Sequence, residues 1–102
     1  EIADVPGVDG IYVGPTDLTI STYGHLPAQD PQASEALVAE VVAQILPSGK
    51  FIGTPVANHA AFRKRAAQGF TLIPIDSDMD LIKLGMRAHI DLVNSSEYAV
   101  HR

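Results

Sequence analysis

The chain has 102 residues, 46% of them hydrophobic, with no cysteine and a formal net charge of −5. That length suits one small domain, and the missing cysteine excludes disulfides, thiol chemistry and cysteine zinc sites. With 12 acids against 7 bases, and Arg63-Lys64-Arg65 the only basic run, the composition excludes a nucleic-acid partner, whose phosphates need a basic surface.

The opening Glu1-Ile2-Ala3-Asp4 has none of the basic charge of a signal peptide. No apolar run approaches the ~20 residues of a membrane span, so neither export nor a membrane is expected, and the setting is read as cytoplasmic. Val5-Pro6-Gly7 is a turn signal that comes too early to close an element begun inside the chain. The first residues therefore read as the end of a helix whose body lies upstream, and the chain as a piece of a longer protein.

Gly10 to Val13 reads as the first strand, buried on both faces as in parallel sheets. Gly14-Pro15 then turns the chain and lifts Asp17 above the strand's carboxyl edge, where α/β folds bind ligands. Thr19 to Asp30 is polar and turn-rich, and reads as a long loop of the kind that is usually functional or disordered. Asp30 and Pro31 open a helix as N-cap and first helical residue. Its apolar face is Ala33, Leu37, Val38, Val41, Val42, Ile45 and Leu46, and Pro47-Ser48-Gly49 ends it.

Phe51 to Val56 is the second strand, ended at Pro55. Asn58 caps a second helix to about Gln68, with Arg63, Lys64 and Arg65 in its later turns, where positive charge suits the helix dipole. Gly69 stops it, and Thr71 to Ile75 is a third strand interrupted by Pro74. Asp76, Asp78 and Asp80 lead into a third helix, Asp78 to about Leu92. Its apolar residues Leu81, Ile82, Leu84, Met86, Ala88 and Ile90 are more than one face needs, so it is expected to pack on another chain or another part of the protein. Asn94 to Arg102 is polar and expected to fray.

The alternation of strand and helix indicates an α/β fold of three βα units with parallel strands, residues 1–102 forming a single partial domain. Three units cannot close an eight-unit barrel. They make either a small three-stranded sheet or the last part of a larger (β/α)8 TIM barrel.

Asp17 is the best chemical candidate. A carboxylate there can reach a hard divalent ion such as magnesium, which takes oxygen ligands. Its other role is to cap a short turn at Leu18-Thr19-Ile20, and from spacing alone that role weighs slightly more. Asp76, Asp78 and Asp80 suggest a calcium loop. Such a loop needs Gly sixth and Glu twelfth, where this chain has Leu81 and Arg87, so the acids read as helix caps and first-turn charges. The loops after the second and third strands are not glycine-rich and one is acidic, which disfavours a phosphorylated substrate. His25, in the long loop, suits proton transfer but more simply a solvated role. His59 stands near a helix start above the sheet edge, and His89 and His101 receive no role. No two histidines share the spacing of a zinc pair. No serine sits in a Gly-x-Ser-x-Gly elbow. Asn94-Ser95-Ser96 fits a glycosylation acceptor and is discounted without an export signal.

Gly10-Ile11-Tyr12-Val13-Gly14-Pro15-Thr16-Asp17-Leu18 resembles the metal-binding segment of the HpcH/HpaI aldolases, the hydroxy-oxo-acid aldolase family related to citrate lyase. Ser21 and Gly24 fall where that family carries Ser and Gly. Ser48-Gly49-Lys50 and Gly69 fit the same pattern, and the resemblance runs from about Val8 to His89. It implies the C-terminal βα units of a modified barrel of about 250 residues. It further implies a divalent ion (Mg²⁺, Mn²⁺ or Co²⁺) that binds a 2-oxo acid such as pyruvate, and an aldehyde as the second reactant. By this match Asp17 is the metal ligand, N–H groups around Thr16 and Asp17 hold the substrate carboxylate, and Gly14 and Pro15 shape the approach. The family's last helix is exchanged between subunits, which implies a homo-oligomer. Its second metal ligand (a Glu), its substrate-binding Arg and its acid–base His have no counterpart here. Glu1 stands nine residues before Gly10, in the helix end, and is not given the ligand's role. A glycine usual before the family's last Asp is replaced in Pro74-Ile75-Asp76. A citrate-lyase-like acyl-CoA lyase and a non-catalytic fold fragment or binding module are the alternatives.

Overall fold

The computed structural model describes residues 1–95; the tail 96–102, with His101 and most of the segment expected to fray, lies outside the described residues. A single turn of 3-10 helix at Ile2–Asp4 precedes β1 (Gly10–Tyr12). Then follow α1 (Pro15–Tyr23), α2 (Pro31–Ile45), β2 (Phe51–Gly53), α3 (His59–Ala67) and α4 (Asp78–Val93). β1 and β2 pair in parallel, with Ile11 opposite Ile52, and α1 and α2 make up the crossover between them. The result is a small α/β unit with a parallel sheet.

α2 forms as its sequence dictates. The Asp30 side chain accepts from Ala33 N at 3.0 Å, Pro31 occupies the first helical position, and Gly49 beyond the helix takes φ 72°. Val38, Val42 and Ile45 on one stripe meet Val13 and Ile52 of the sheet, and Phe70 closes the cluster. Fully burying each such side chain is worth about 1.5–3 kcal/mol.

The expected long loop is largely helix. α1 runs to Tyr23 and stops at Gly24, whose φ of 74° is left-handed and whose N–H bonds to Ile20 O at 2.9 Å. Pro15 starts it, and Leu18 and Thr19 pack beneath it, so tertiary contact decides against the polar local composition. A second 3-10 turn, Pro27–Gln29, takes three of the seven residues that remain. The cap of α1 is the Gly14 position, so Asp17 is a first-turn residue and not the cap.

The third strand is present only as two bridges, Gly53 to Leu72 and Val56 to Ile75. The cause is Pro74. Leu72 N donates to Ile52 O, Thr54 N to Leu72 O, Val56 N to Pro74 O and Asp76 N to Val56 O. The missing rung is the one that would run from residue 74 N to Thr54 O, and proline has no N–H to donate. The segment therefore lies in register beside β2 with one bond absent.

β1 was expected to be buried on both faces, and only one face is. Ile11, Val13 and Ile52 point into the α2 layer. The opposite face carries Tyr12, Phe51 and Leu72, each about half exposed. These rings lie flat on the sheet because Gly10 and Gly53 leave room. A Cβ at Gly10 would stand 2.3 Å from the Phe51 ring, and one at Gly53 would stand 2.7 Å from Tyr12.

α4 buries no residue. Ser77 caps it, accepting from Asp80 N at 3.2 Å and donating to Asp80 Oδ2 at 2.7 Å. Met79, Leu81, Ile82, Leu84, Met86 and Ile90 are all more than half exposed. The molecule measures 64 × 30 × 20 Å with a radius of gyration of 18.9 Å, against ~13 Å for a compact domain of about 100 residues. No helix among the described residues is long and apolar enough to cross a membrane.

Candidate functional site

The carboxyl edge of the sheet gathers three connections: 13–17 after β1, 54–58 after β2, and 75–77 after the third segment. The first is the best formed. Gly14 sits at the N-cap position of α1 in extended backbone, and Leu18 N bonds to its carbonyl at 2.9 Å. Pro15 has no N–H. The N–H groups of Thr16 and Asp17 belong to the first turn, where a helix offers donors without helical acceptors, and neither finds a backbone partner among the described residues. Two free donors at the positive end of a nine-residue helix favour a negatively charged group.

Asp17 is exposed, and its carboxylate accepts no hydrogen bond from a side chain among the described residues. Oδ2 lies 3.3 Å from where a Cβ on Gly14 would stand. The glycine thus leaves the carboxylate its place against the turn, and a larger residue would press on it. Among the described residues no three His, Cys, Asp or Glu side chains are grouped to hold an ion. A hard cation here would find one anionic oxygen ligand, so these residues fit part of such a site.

The other two connections form a cleft lined by Pro55, Val56, Ala57, Pro74, Asp76, Ser77 and Asp80. Asp76 turns it with φ 58°, a conformation tolerated best by Gly, Asn and Asp. Hydrogen bonds from Ser77, and the nearby Lys83, hold the Asp80 carboxyl below its ordinary pKa. Asp80 is thus tied to the helix start, and Asp78 accepts from Met79 N at 2.9 Å. Asp78 and Asp80 are first-turn charges as read, but the cap is Ser77, and Asp76 lies in the turn before it.

The three described histidines do not join Asp17. His25 follows the C-terminal end of α1, the end opposite Asp17, and its ring stacks on Tyr23 with centroids 5.7 Å apart. His59 is the exposed first residue of α3, and His89 lies on exposed α4. Sequence reasoning missed three buried hydroxyls. Thr19 and Ser34 bond to each other at 2.7 Å, while Thr54 Oγ1 is buried with no partner among the described residues. Their spacing carries no motif. A Thr in a stretch read as a loop offers no sign that it is buried.

No family model matches the sequence. A hydroxypyruvate/pyruvate aldolase of Rhizorhabdus wittichii is 30% identical over 89 residues, 85% of this chain and 35% of that protein. A 4-hydroxy-2-oxo-heptane-1,7-dioate aldolase of Klebsiella pneumoniae is 32% identical over 90 residues, 86% of this chain and 33% of that protein. The crystal structure of an HpcH/HpaI aldolase/citrate lyase family protein from Burkholderia cenocepacia aligns with a TM-score of 0.80 at 32% identity, over 92% of this chain and 36% of that one. The chain matches one portion of the HpcH/HpaI aldolase family. It spans about a third of the length of the curated relatives it matches. Its α/β unit correspondingly matches a part of a barrel-like aldolase fold, with one sheet face open and α4 uncovered among the described residues.

Proposed function

We propose that the whole protein containing this chain is a divalent-metal aldolase that cleaves or forms carbon–carbon bonds of hydroxy-2-oxo acids through a pyruvate enolate. The observation that carries this reading is the turn at Gly14-Pro15-Thr16-Asp17. It sets an exposed carboxylate beside two free N–H donors at one helix start, on the ligand-binding edge of the sheet. In this reading Asp17 is one metal ligand. The Thr16 and Asp17 N–H groups take the carboxylate of a 2-oxo acid such as pyruvate, and the α1 dipole adds to its attraction. Gly14 and Pro15 shape the approach. The ion, Mg²⁺, Mn²⁺ or Co²⁺, when bound would act as a Lewis acid on the oxygen where negative charge develops.

The second reactant is an aldehyde, and the setting is cytoplasmic. The uncovered α4 supports a homo-oligomer as the working form. The chain by itself is read as inactive. Mg²⁺ wants near-octahedral oxygen coordination, and these residues supply one positioned carboxylate. A missing general base would cost a further factor of about 10²–10⁴.

The test is a retro-aldol assay on the whole protein, coupled to pyruvate detection, with and without a chelator and with acyl-CoA thioesters in parallel. Chelator-sensitive pyruvate release that Asp17→Ala abolishes is the expected result. Turnover of thioesters alone would replace the aldolase with an acyl-CoA lyase, and full activity in Asp17→Ala would overturn the ligand role.

A further inference from the structure

Thr19 is fully buried on α1, yet it carries a hydroxyl. Its Oγ1 donates to the Pro15 carbonyl at 2.6 Å and lies 2.7 Å from Ser34 Oγ. A hydroxyl has one proton. With Thr19's proton on Pro15 O, the Ser34 hydroxyl must donate to Thr19. The direction of the chain is thus set: Ser34 to Thr19 to Pro15. Ser34 is itself anchored, because its N–H bonds to Asp30 O at 3.1 Å in the capped first turn of α2.

The far end of this chain is the turn that bears Asp17. Helices usually fix their first turn with an N-cap side chain, and Gly14 has none. Pro15 is the residue immediately before Thr16 and Asp17, and its carbonyl is held from below by Thr19. A valine at 19 would fill the same volume without needing a partner, so packing alone does not call for the hydroxyl.

We propose that Thr19 and Ser34 are positioning residues, a buried hydroxyl pair that tethers the start of α1 to α2 and so fixes the Asp17 carboxylate and the Thr16 and Asp17 N–H groups. The proposal rests on the aldolase reading of that turn. Displacing a reacting group by about 1 Å can cost on the order of 10²-fold in rate, and loss of an outer supporting contact typically costs about 10–100-fold in metal affinity or activity.

The experiment uses the whole protein with Thr19→Val, Thr19→Ser, Ser34→Ala and Asp17→Ala. Mn²⁺ affinity is read from the free-ion electron paramagnetic resonance signal, alongside kcat, KM and melting temperature. Thr19→Val is expected to weaken Mn²⁺ binding about tenfold and to lower kcat. Thr19→Ser is expected to restore both, and Ser34→Ala to cut the same chain from the α2 side with the same direction of effect. If Thr19→Val and Ser34→Ala melt lower but keep Mn²⁺ affinity and kcat within about twofold, the pair only packs helices and the positioning role is overturned. If Asp17→Ala keeps its Mn²⁺ affinity, the metal-ligand reading itself fails, and the two failures are thereby told apart.

Discussion

Removing the charge of Glu35 should destabilise the protein by about 1–2 kcal/mol. Glu35 on α2 meets Arg65 on α3 through two bonds, Arg65 Nη2 to Oε1 at 2.6 Å and Nη1 to Oε2 at 3.0 Å. Lys64 Nζ adds a contact of 2.7 Å. The Arg65 side chain is 9% exposed and Glu35 is 37% exposed. Breaking a buried pair costs about 3–5 kcal/mol because a charge is left uncompensated, whereas exposed pairs contribute about 0.2–1 kcal/mol. Solvent screens the Glu35 side, and Arg65 keeps Gln68 Oε1 at 2.9 Å and the Phe70 ring at 5.9 Å, which places Glu35→Gln between those limits. Partial burial raises the Glu35 pKa, but hydrogen bonds and charge from Arg65 and Lys64 outweigh it, so the carboxyl titrates below its ordinary 4.5. A depressed carboxyl stabilises the folded state above its unfolded pKa and loses that contribution as pH falls through the folded value. Equilibrium urea unfolding should therefore show the full cost of Glu35→Gln at neutral pH and a shrinking cost below about pH 4.5. A neutral-pH cost under about 0.5 kcal/mol, or one that acid leaves unchanged, would refute the argument.

Three further outcomes are expected. Asp17→Ala and Asp17→Asn should melt near the unaltered temperature, since the side chain is exposed, while pyruvate release falls to background; circular dichroism and the coupled assay on one preparation decide it. Pro74→Val should supply the missing rung to Thr54 O, worth about 0.5–1.5 kcal/mol before the lost proline rigidity is subtracted. Hydrogen exchange should then find a protected amide at 74, and fast exchange there would count against the register. Ending the whole protein after Ile75 removes α4 and should disperse its oligomer, so an unchanged mass by light scattering would sink the role given to that helix.

What the sequence disclosed is what neighbouring residues decide. Asp30 and Asn58 are the caps read for α2 and α3, with bonds to Ala33 N at 3.0 Å and Ala61 N at 2.9 Å, and Gly49 and Gly69 carry the left-handed backbone of stops. The parallel arrangement follows from the alternation of elements. What it hid depends on distant partners. Arg65 read as a dipole charge, and it is a buried ion-pair member because Glu35 lies thirty positions away. α1 read as a loop because its residues are polar, and burial against α2 overrides that. Pro74 marks a weakness in the third strand from sequence alone, but which rung it removes depends on the register with β2. At the site, Asp17 and its turn were legible from local order, while the Thr19–Ser34 support was not.

Among the described residues the sheet also has two free sides. Successive backbone groups along a strand face alternate neighbours. Asp9 O and Val13 N bond towards β2, so those of Gly10 and Tyr12 face the other way. Beyond the third segment, Ile73 is likewise turned outward, between the β2-facing Leu72 and Pro74. Such rows are templates for strand addition, and a closed barrel removes them. Expressed alone, these residues should stick to one another edge to edge, so the difficulty in handling them would be colloidal before it was catalytic. Pro74 does not relieve this, because its missing donor faces β2 and leaves the outer row intact.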